Sequence, residues 1–598
     1  MEENANNVQS SKNDSNTLSI KKQKTRNILT DSTSPLFQID EEDFENIQEI
    51  LRLKFSDDEL LSYAVCDVAT IEPYSGQYRV TELKLRDSAE TERSWYTQPH
   101  LPNSLCNLDA LTKIQVYGTQ IETFLSEDDD AEYPKVIPNL RILQLESMPR
   151  LQCLPSNLGS FTKLQQLKLK GLPINALPDS LSSLGESLEA VVITDCETLR
   201  NLPDGFGQLY NLQHLQTCGT PTQHLPANFG NLTDLQELEM EFQHLTQLPP
   251  GFNNLSNLHT LKTGLDKFNF PVPHLPNLAY LTTSVYNIHQ FAQTQTVTEV
   301  DMYCHCDNAT QASVLDLEFS HLSTWSNLES LQVRFEGHPF EYTLPKGSFT
   351  GFTKLNNLFL SCSKSQALGV YIDELPCLLQ LNYLKLSGCV LKSTKPLAHP
   401  VTLLNLTSIY LYKMKGGLEL LSMIRALCLS SISLNDCSPM DDVMFGNLCT
   451  SWFPHLKKLR SLRVKKCSIA NIRPDHFHHL GETNVCSIDL QDNPIFHGSE
   501  GELERKLLPL VQHCKFLCDF SFTFKLPLRV AYHLCLNSAR RAFVFGKQRI
   551  IAKGLWALIF EKAVEAMRGL TYYNKEQWSQ SQAIYGFLKE FAVTEIYG

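Results

Sequence analysis

Leu164-Gln165-Gln166-Leu167-Lys168-Leu169-Lys170-Gly171-Leu172-Pro173-Ile174-Asn175-Ala176-Leu177-Pro178 is one turn of a pattern that decides the fold of this chain. Its Leu-x-x-Leu-x-Leu head stands upstream at Leu140, Leu143 and Leu145, and downstream at Leu188, Val191 and Ile193. Leu212 and Leu215, then Leu235, Leu238 and Met240, then Leu258 and Leu261 continue it. The first positions are 24, 24, 24, 23 and 23 residues apart. A Leu-Pro pair keeps step at Leu154-Pro155, Leu177-Pro178, Leu202-Pro203, Leu225-Pro226 and Leu248-Pro249, and Phe206, Phe229 and Phe252 follow the last three pairs. Chance does not sustain such a period over five repeats.

The period lies within the 20–29 residues of leucine-rich repeats. Leu-x-Leu alternation reads as a short strand with one buried face, because side chains alternate at period two. Proline ends the strand's continuation and turns the chain away from the sheet, and the following Leu-x-x-Leu packs as a helical or extended turn. One repeat cannot cover its own apolar face, so each leucine is buried by the neighbours above and below. Beyond Leu261 the proline becomes irregular but the strand pattern persists: Leu328/Leu331/Val333, Leu355/Leu358/Leu360 and Leu406/Ile409/Leu411. Leu381/Leu384/Leu386/Cys389/Leu391, Leu459/Leu462/Val464/Cys467/Ile469 and Val485/Ile488/Leu490/Asn493/Ile495 show the longer form, whose Asn or Cys is expected inside, satisfying backbone amides at the turn. Weaker members begin at Val80, Leu111, Leu278, Val297 and Leu429. The fold class expected is α/β, a leucine-rich-repeat solenoid: a curved parallel β-sheet horseshoe of about 17 strands, with an N-terminal helical cap and a mostly helical C-terminal cap.

Composition agrees with a large core. Of 598 residues 42% are apolar, so general disorder is excluded. The net charge of −13 argues against a nucleic-acid partner. Eighteen cysteines suggest disulfides by number, but Cys389, Cys437 and Cys467 occupy repeat positions that want a small apolar residue, and no cysteine cluster flanks the array. Residues 1–17 contain no apolar run of signal-peptide length, and no later stretch reads as a bilayer span. The expectation is a monomeric cytoplasmic protein with reduced thiols. Lys21, Lys22, Lys24 and Arg26 offer a nuclear-import reading beside the plainer one of a solvated tail.

Four segments follow. Residues 1–35, polar and without periodicity, read as a disordered tail. Residues 36–79 read as an N-terminal helical cap, with Phe44, Ile47, Ile50 and Leu51 on one face of a helix started by Asp40. Residues 80–500 form the solenoid, interrupted by the acidic loop Glu127–Asp130. Residues 501–598 form the C-terminal cap; they carry 14 basic and 8 acidic side chains in an otherwise acidic chain. Helices are expected there at 502–518, 555–567 and 575–591, with a strand-like Phe520–Phe524.

Two resemblances attach to these motifs. The stretch from Leu154 to Leu261 resembles the intracellular Leu-Pro-type repeats of plant Ras-group repeat proteins and resistance-protein sensors. Leu534-Cys535-Leu536-Asn537-Ser538-Ala539-Arg540-Arg541, with Leu555-Trp556 and Glu561-Lys562-Ala563, resembles the end of diatom leucine-rich-repeat proteins. Ala539, Ala557 and Lys562 stand where those proteins have glycine, proline and arginine. Neither resemblance implies a particular partner.

No chemistry is written into the chain. Tyr303-Cys304-His305-Cys306 looks metal-like, but no second ligand pair stands near it and neighbouring strand residues point to opposite faces. His476, His478 and His479 read as a solvated face. Phosphate-binding glycine loops, kinase signatures and Gly-x-Ser-x-Gly elbows are missing. The rival reading is an effector or ubiquitin-ligase-type enzyme with its activity in the last 100 residues, where Cys518-Asp519 lacks the spacer of a Cys-x-Asp loop. A substrate adaptor would need a ligase-binding box, which 40–55 does not supply. The expected function is therefore a non-catalytic scaffold without cofactor or metal, binding a protein in intracellular signalling or recognition.

The binding face follows from the period. Residues between strand leucines point out of the concave sheet, giving a central column of Gln332, Phe359, Lys385, Tyr410, Ser433, Arg463 and Asp489. Arg334, Tyr383, Tyr412 and Lys465 flank it. Aromatic residues and arginine are what protein interfaces enrich. The site expected is Arg334, Phe359, Tyr383, Lys385, Tyr410, Tyr412, Arg463 and Lys465; the plainer reading is a wet surface. A second track, Lys168 and Lys170 against Glu237, Glu239 and Glu241, reads first as solubility.

Overall fold

The computed structural model describes residues 40–52 and 69–521, except 75–76, 87–98, 102, 126–135, 307–311, 338–340, 364–366, 395–398, 438–439, 474–475, 477, 497–498, 515–516 and 518. The expected tail at 1–35, its basic run, the acidic loop Glu127–Asp130 and the helices at 555–567 and 575–591 lie outside the described residues. The chain divides into two compact units, residues 1–338 with 350–355, and residues 339–349 with 356–598.

In the first unit, eleven parallel strands are described, from Gln77–Arg86 to Ser330–Gly337. The register keeps equivalent leucines side by side: Leu143 pairs with Leu167, Leu167 with Val191 and Val191 with Leu215. All four are buried, as are Leu145, Leu169 and Ile193. The residue that leads into each strand donates its amide to its counterpart one repeat back. Glu189 donates to Gln165 (2.8 Å), Gln213 to Glu189 (2.8 Å), Gln236 to Gln213 (2.8 Å) and His259 to Gln236 (2.9 Å). Corners after the strands are left-handed. Gly171 and Gly219 take this conformation without strain, while Ser147 and Asp195 adopt it with φ of 55° and 56°.

The Leu-Pro pairs turn the chain as their spacing predicts. Pro178 and Pro203 are extended and lead into the short 3₁₀ helices Asp179–Leu184 and Asp204–Gln208. Phe206, Phe229 and Phe252 stack one repeat on the next, with ring centroids 6.5 and 6.0 Å apart. A glycine after each of the first two rings permits this approach. A Cβ on Gly207 would lie 2.1 Å from the carbonyl oxygen of Asn228, and one on Gly230 2.1 Å from that of Gly251.

The N-terminal helix is present as Glu41–Arg52. Asp40 caps it, accepting from the amides of Glu42 (3.1 Å) and Asp43 (3.4 Å). Asp43 is fully buried and accepts from Arg79 Nη2 (2.9 Å) and the Val80 amide (2.8 Å), which fastens the helix to the first repeat strand. A strand the sequence reading lacked, Ala69–Tyr74, pairs antiparallel with Gln77–Arg86. It closes that edge with a hairpin.

The second unit has seven described parallel strands: Asn357–Cys362, Tyr383–Ser387, Ser408–Tyr412, Ser431–Asn435, Ser461–Lys465, Ser487–Asp489 and Asp519–Ser521. The last belongs to the strand-like segment expected from Phe520 and adds one rung to the 17 counted by sequence. A small sheet of Glu341–Thr343, Ala367–Tyr371 and Cys389–Lys392 lines the other side of the first repeats. The helix Glu500–His513 starts with a Ser499–Glu502 capping box and buries Leu507, Leu510 and Val511. The leucine-rich-repeat solenoid expected from sequence is the fold.

Two local expectations change. Asn493 fulfils its role: Oδ1 accepts from the Cys467 amide (3.0 Å) and Nδ2 donates to the carbonyls of Val464 (2.7 Å) and Leu490 (2.8 Å). The cysteines at that position do the opposite, donating to carbonyls: Cys389 to Ser387 (3.4 Å), Cys437 to Asn435 (3.6 Å) and Cys467 to Lys465 (3.2 Å). A thiol has a hydrogen to give and only a weak lone pair to accept with. His476, read as solvated, is buried against Phe445 with ring centroids 6.0 Å apart, and Arg473 Nε donates to its Nε2 (3.0 Å).

Candidate functional site

The outward positions of the second unit line up as alternation requires. Phe359 pairs with Lys385, Lys385 with Tyr410, Tyr410 with Ser433, Ser433 with Arg463 and Arg463 with Asp489. Tyr383 stands in the column before it with Ser408, Ser431 and Ser461. Tyr412 stands in the column after it with Asn435 and Lys465. Inward neighbours such as Leu384, Ile409 and Leu462 are buried and hold the backbone rigid.

Three of the rings touch. Tyr383 lies 5.1 Å from Phe359 and 5.0 Å from Tyr410, the latter pair 24° from coplanar. Partial burial, with Tyr410 adding, holds the Tyr383 phenol above its ordinary range. The result is an aromatic strip across three repeats with serines beside it. Lys385 is exposed at its edge. Tyr412 carries a cation the sequence reading missed: Lys413 Nζ lies 4.8 Å from its ring centroid, with Asp436 3.7 Å from the same ammonium. The contact with Tyr412 raises the Lys413 pKa. Lys413 occupies a left-handed corner (φ 49°), and that corner aims it back over the ring.

Arg463 and Lys465 are gathered by one carboxylate. Asp489 Oδ2 accepts from Arg463 Nε at 3.2 Å and from Lys465 Nζ at 3.3 Å. Asp489 is buried, whereas about half of the Arg463 side chain remains exposed at 51%. Both cations are thus held at the surface rather than free to reach.

Arg334 belongs to the first unit and to a different group. Its Nη1 pairs with Asp301 Oδ2 at 3.0 Å and bonds the Tyr303 hydroxyl, and its guanidinium lies 4.7 Å from the Tyr303 ring centroid. Burial raises the Asp301 pKa against the lowering effect of Arg334. Of the eight residues expected, the structure brings Phe359, Tyr383 and Tyr410 into contact, ties Arg463 and Lys465 through Asp489, and engages Arg334 elsewhere.

Comparison with known proteins gives likenesses to solved structures. A leucine-rich-repeat protein of Leptospira interrogans is 19% identical, covering 71% of this chain and 93% of its own, with a TM-score of 0.42. An internalin of Listeria monocytogenes is 16% identical over 65% of this chain and 94% of its own, with a TM-score of 0.34. The Arabidopsis receptor kinase HAESA, solved with the peptide hormone IDA and the co-receptor SERK1, is 17% identical over 81% of each chain, with a TM-score of 0.32. No protein-family model matches the chain. No curated protein matches it either.

The second track resolves into local pairs. Lys170 bridges to Glu146 (3.2 Å), Glu239 accepts from Lys262 (2.8 Å) and Cys218 (3.2 Å), and Glu241 accepts from the Gly219 amide (3.0 Å). These charges are spent on neighbouring repeats. Cys304 of the metal-like run is buried in the strand Glu299–Cys306. Among the described residues no group of three or more His, Cys, Asp or Glu is placed to hold a metal ion. Among the same residues no helix is long and apolar enough to cross a membrane.

Proposed function

We propose that this chain is a non-catalytic scaffold of intracellular signalling or recognition, taking a protein partner on the outward sheet face of residues 357–489. The observation that carries the reading is the Phe359–Tyr383–Tyr410 strip. Rings held on a rigid sheet lose little conformational freedom on binding, and their faces supply apolar area while the phenol oxygens stay available for hydrogen bonds. Lys385 and the tethered Arg463 and Lys465 add positive charge around the strip, and Asp489 is the one carboxylate in its central column. Residues 36–79 and 501–598 serve in this reading as caps, and 1–35 as a solvated tail. The protein works as a monomer in the cytoplasm, with the nucleus open to it through Lys21–Arg26.

The experiment is a full-length Phe359→Ala, Tyr410→Ala, Arg463→Ala variant compared with the parent by proximity labelling and co-purification. Loss of the parent's partner with an unchanged circular dichroism spectrum is the expected result, since anchoring side chains can each carry about 2 kcal/mol or more of binding. Retained binding by the folded variant would move the site off this face.

A further inference from the structure

A second surface lies at the turns that lead into the strands of the second unit. Leu379, Leu404 and Leu427 are 62%, 60% and 57% exposed. Each stands five residues before the first inward residue of its strand, namely Leu384, Ile409 and Ile432. Those three pair in register, so the exposed leucines occupy the same place on consecutive rungs. The turns are stacked by their own bonds: Asn405 Nδ2 donates to the Leu379 carbonyl (2.8 Å), and the amides of Thr407 and Ser430 donate to Asn382 and Thr407 (2.9 and 2.8 Å). The residue before each, Leu378, Leu403 or Ala426, is buried and serves the core. The leucines do not.

Most other repeats place a polar residue at this position, among them Thr162, Glu186, Thr233, Ser256 and Lys457. Single exposed leucines need no explanation, but an aligned row is a contiguous apolar patch of the kind that marks an interaction site. Rung spacing sets the row's length. At about 4.8 Å per rung the three leucines span about 10 Å. An α-helix presents same-face residues every turn of about 5.4 Å, so i, i+3 or i+4, and i+7 cover about 10.5 Å. An extended strand repeats a face only every about 6.7 Å and falls out of step by the third residue.

Charge sets the partner's sign. One rung beyond Leu427, the same turn reads Lys457-Lys458-Leu459-Arg460, with Lys457, Lys458 and Arg460 exposed. The four turns 379–382, 404–407, 427–430 and 457–460 contain no carboxylate. Residues 501–598, with 14 basic and 8 acidic side chains, carry the wrong sign to lie there. We propose that the Leu379–Leu404–Leu427 row with Lys457 and Lys458 is a docking site for an acidic amphipathic helix of a partner protein. Its apolar stripe lies along the leucines, and its carboxylates and negative C-terminal end lie over the lysines.

The test selects displayed peptides of four helical turns, about 14 residues, on the full-length chain, with counter-selection on a Leu379→Ser, Leu404→Ser, Leu427→Ser variant. Enriched peptides should carry apolar residues at i, i+3 or i+4, and i+7, with Asp or Glu at the C-terminal turn. They should bind the parent at least about tenfold more tightly than the variant. A Lys457→Glu, Lys458→Glu variant, which leaves the row intact, should weaken them equally well if the triple variant folds poorly. Peptides without this pattern, or equal binding to both variants, would overturn the proposal. So would self-links from a benzophenone side chain at position 404, whether to a second copy or to the chain's own residues 522–598.

Discussion

Tyr383 stacks on Tyr410 at 5.0 Å although the two are not paired across the sheet: Tyr383 faces Ser408, and Tyr410 faces Lys385. The contact is diagonal, within reach of aromatic side chains on neighbouring strands. It exists because Ser408 leaves the space beside Tyr383 open. Tyr383→Ala should remove the coupled tyrosine signal in near-ultraviolet circular dichroism while costing no more than about 1 kcal/mol in urea unfolding. Tyr383→Phe should keep most of the signal's ring-stacking part. An unchanged spectrum in the alanine variant would mean that the rings do not stack in solution.

The glycine seam between Leu-Pro turns makes a sharper demand. Gly230→Ala places a methyl 2.1 Å from the Gly251 carbonyl oxygen, so the backbones must part. Overpacking of this kind costs roughly 1–3 kcal/mol, and thermal melting should fall accordingly. Gly501→Ala is the control, since its Cβ would meet nothing within 4 Å. Its melting temperature should hold or rise slightly.

Removing the charge of Asp43 should strand Arg79, whose pKa is raised chiefly by its hydrogen bond to that carboxylate. Asp43→Ala is expected to cost about 3 kcal/mol locally, as losing one partner of a buried pair does. Hydrogen exchange should show Glu41–Arg52 and Gln77–Arg86 losing protection before any other described element. Uniform loss along the array would show that the cap is not a separate unit of stability.

Cys218 offers a pH test. Burial first, and then its hydrogen bond to Glu239, push its thiol up to about 12. The folded state therefore favours the protonated thiol. The stability this contributes is present below the ordinary thiol pKa and is lost as pH rises from there towards about 12. Because the thiolate is the nucleophile, iodoacetamide in mildly alkaline buffer should label the exposed Cys153 and Cys377 and spare Cys218. Glu239→Gln should bring Cys218 labelling to lower pH. Equal labelling of all three sites in the parent would contradict the Cys218–Glu239 contact.

Ending the chain at residue 498 should give aggregated protein. The strand Ser487–Asp489 would lose its pairing with Asp519–Ser521, and the buried faces of Leu507, Leu510 and Val511 would be gone. Size-exclusion chromatography reads the outcome. A monodisperse, folded fragment would mean that the array needs no cap at that edge.

Every repeat strand counted in the sequence is present, because a buried leucine at each second position leaves a mark that survives in one dimension. For the same reason the outward column from Phe359 to Asp489 was legible residue by residue. Contacts among those side chains were not. Whether Tyr383 reaches Tyr410, or Asp489 claims both Arg463 and Lys465, depends on rotamers and on the size of the neighbour one rung away. His476 misled because the histidine run around it is polar in composition, while the ring itself fills space beside Phe445. The hairpin strand Ala69–Tyr74 carries no leucine repeat, so its pairing left no periodic trace.

The bonds that lead from His259 to Gln236, from Gln236 to Gln213 and from Gln213 to Glu189 join each rung only to the one before it. Mechanically, such a stack is loaded in series. A pull on one end rung concentrates the force on a single line of hydrogen bonds, which give way one after another, so the array peels open at low, nearly constant tension. A tether at both ends would thus find in each unit an extensible element that lengthens by whole repeats and recoils when the pull is released.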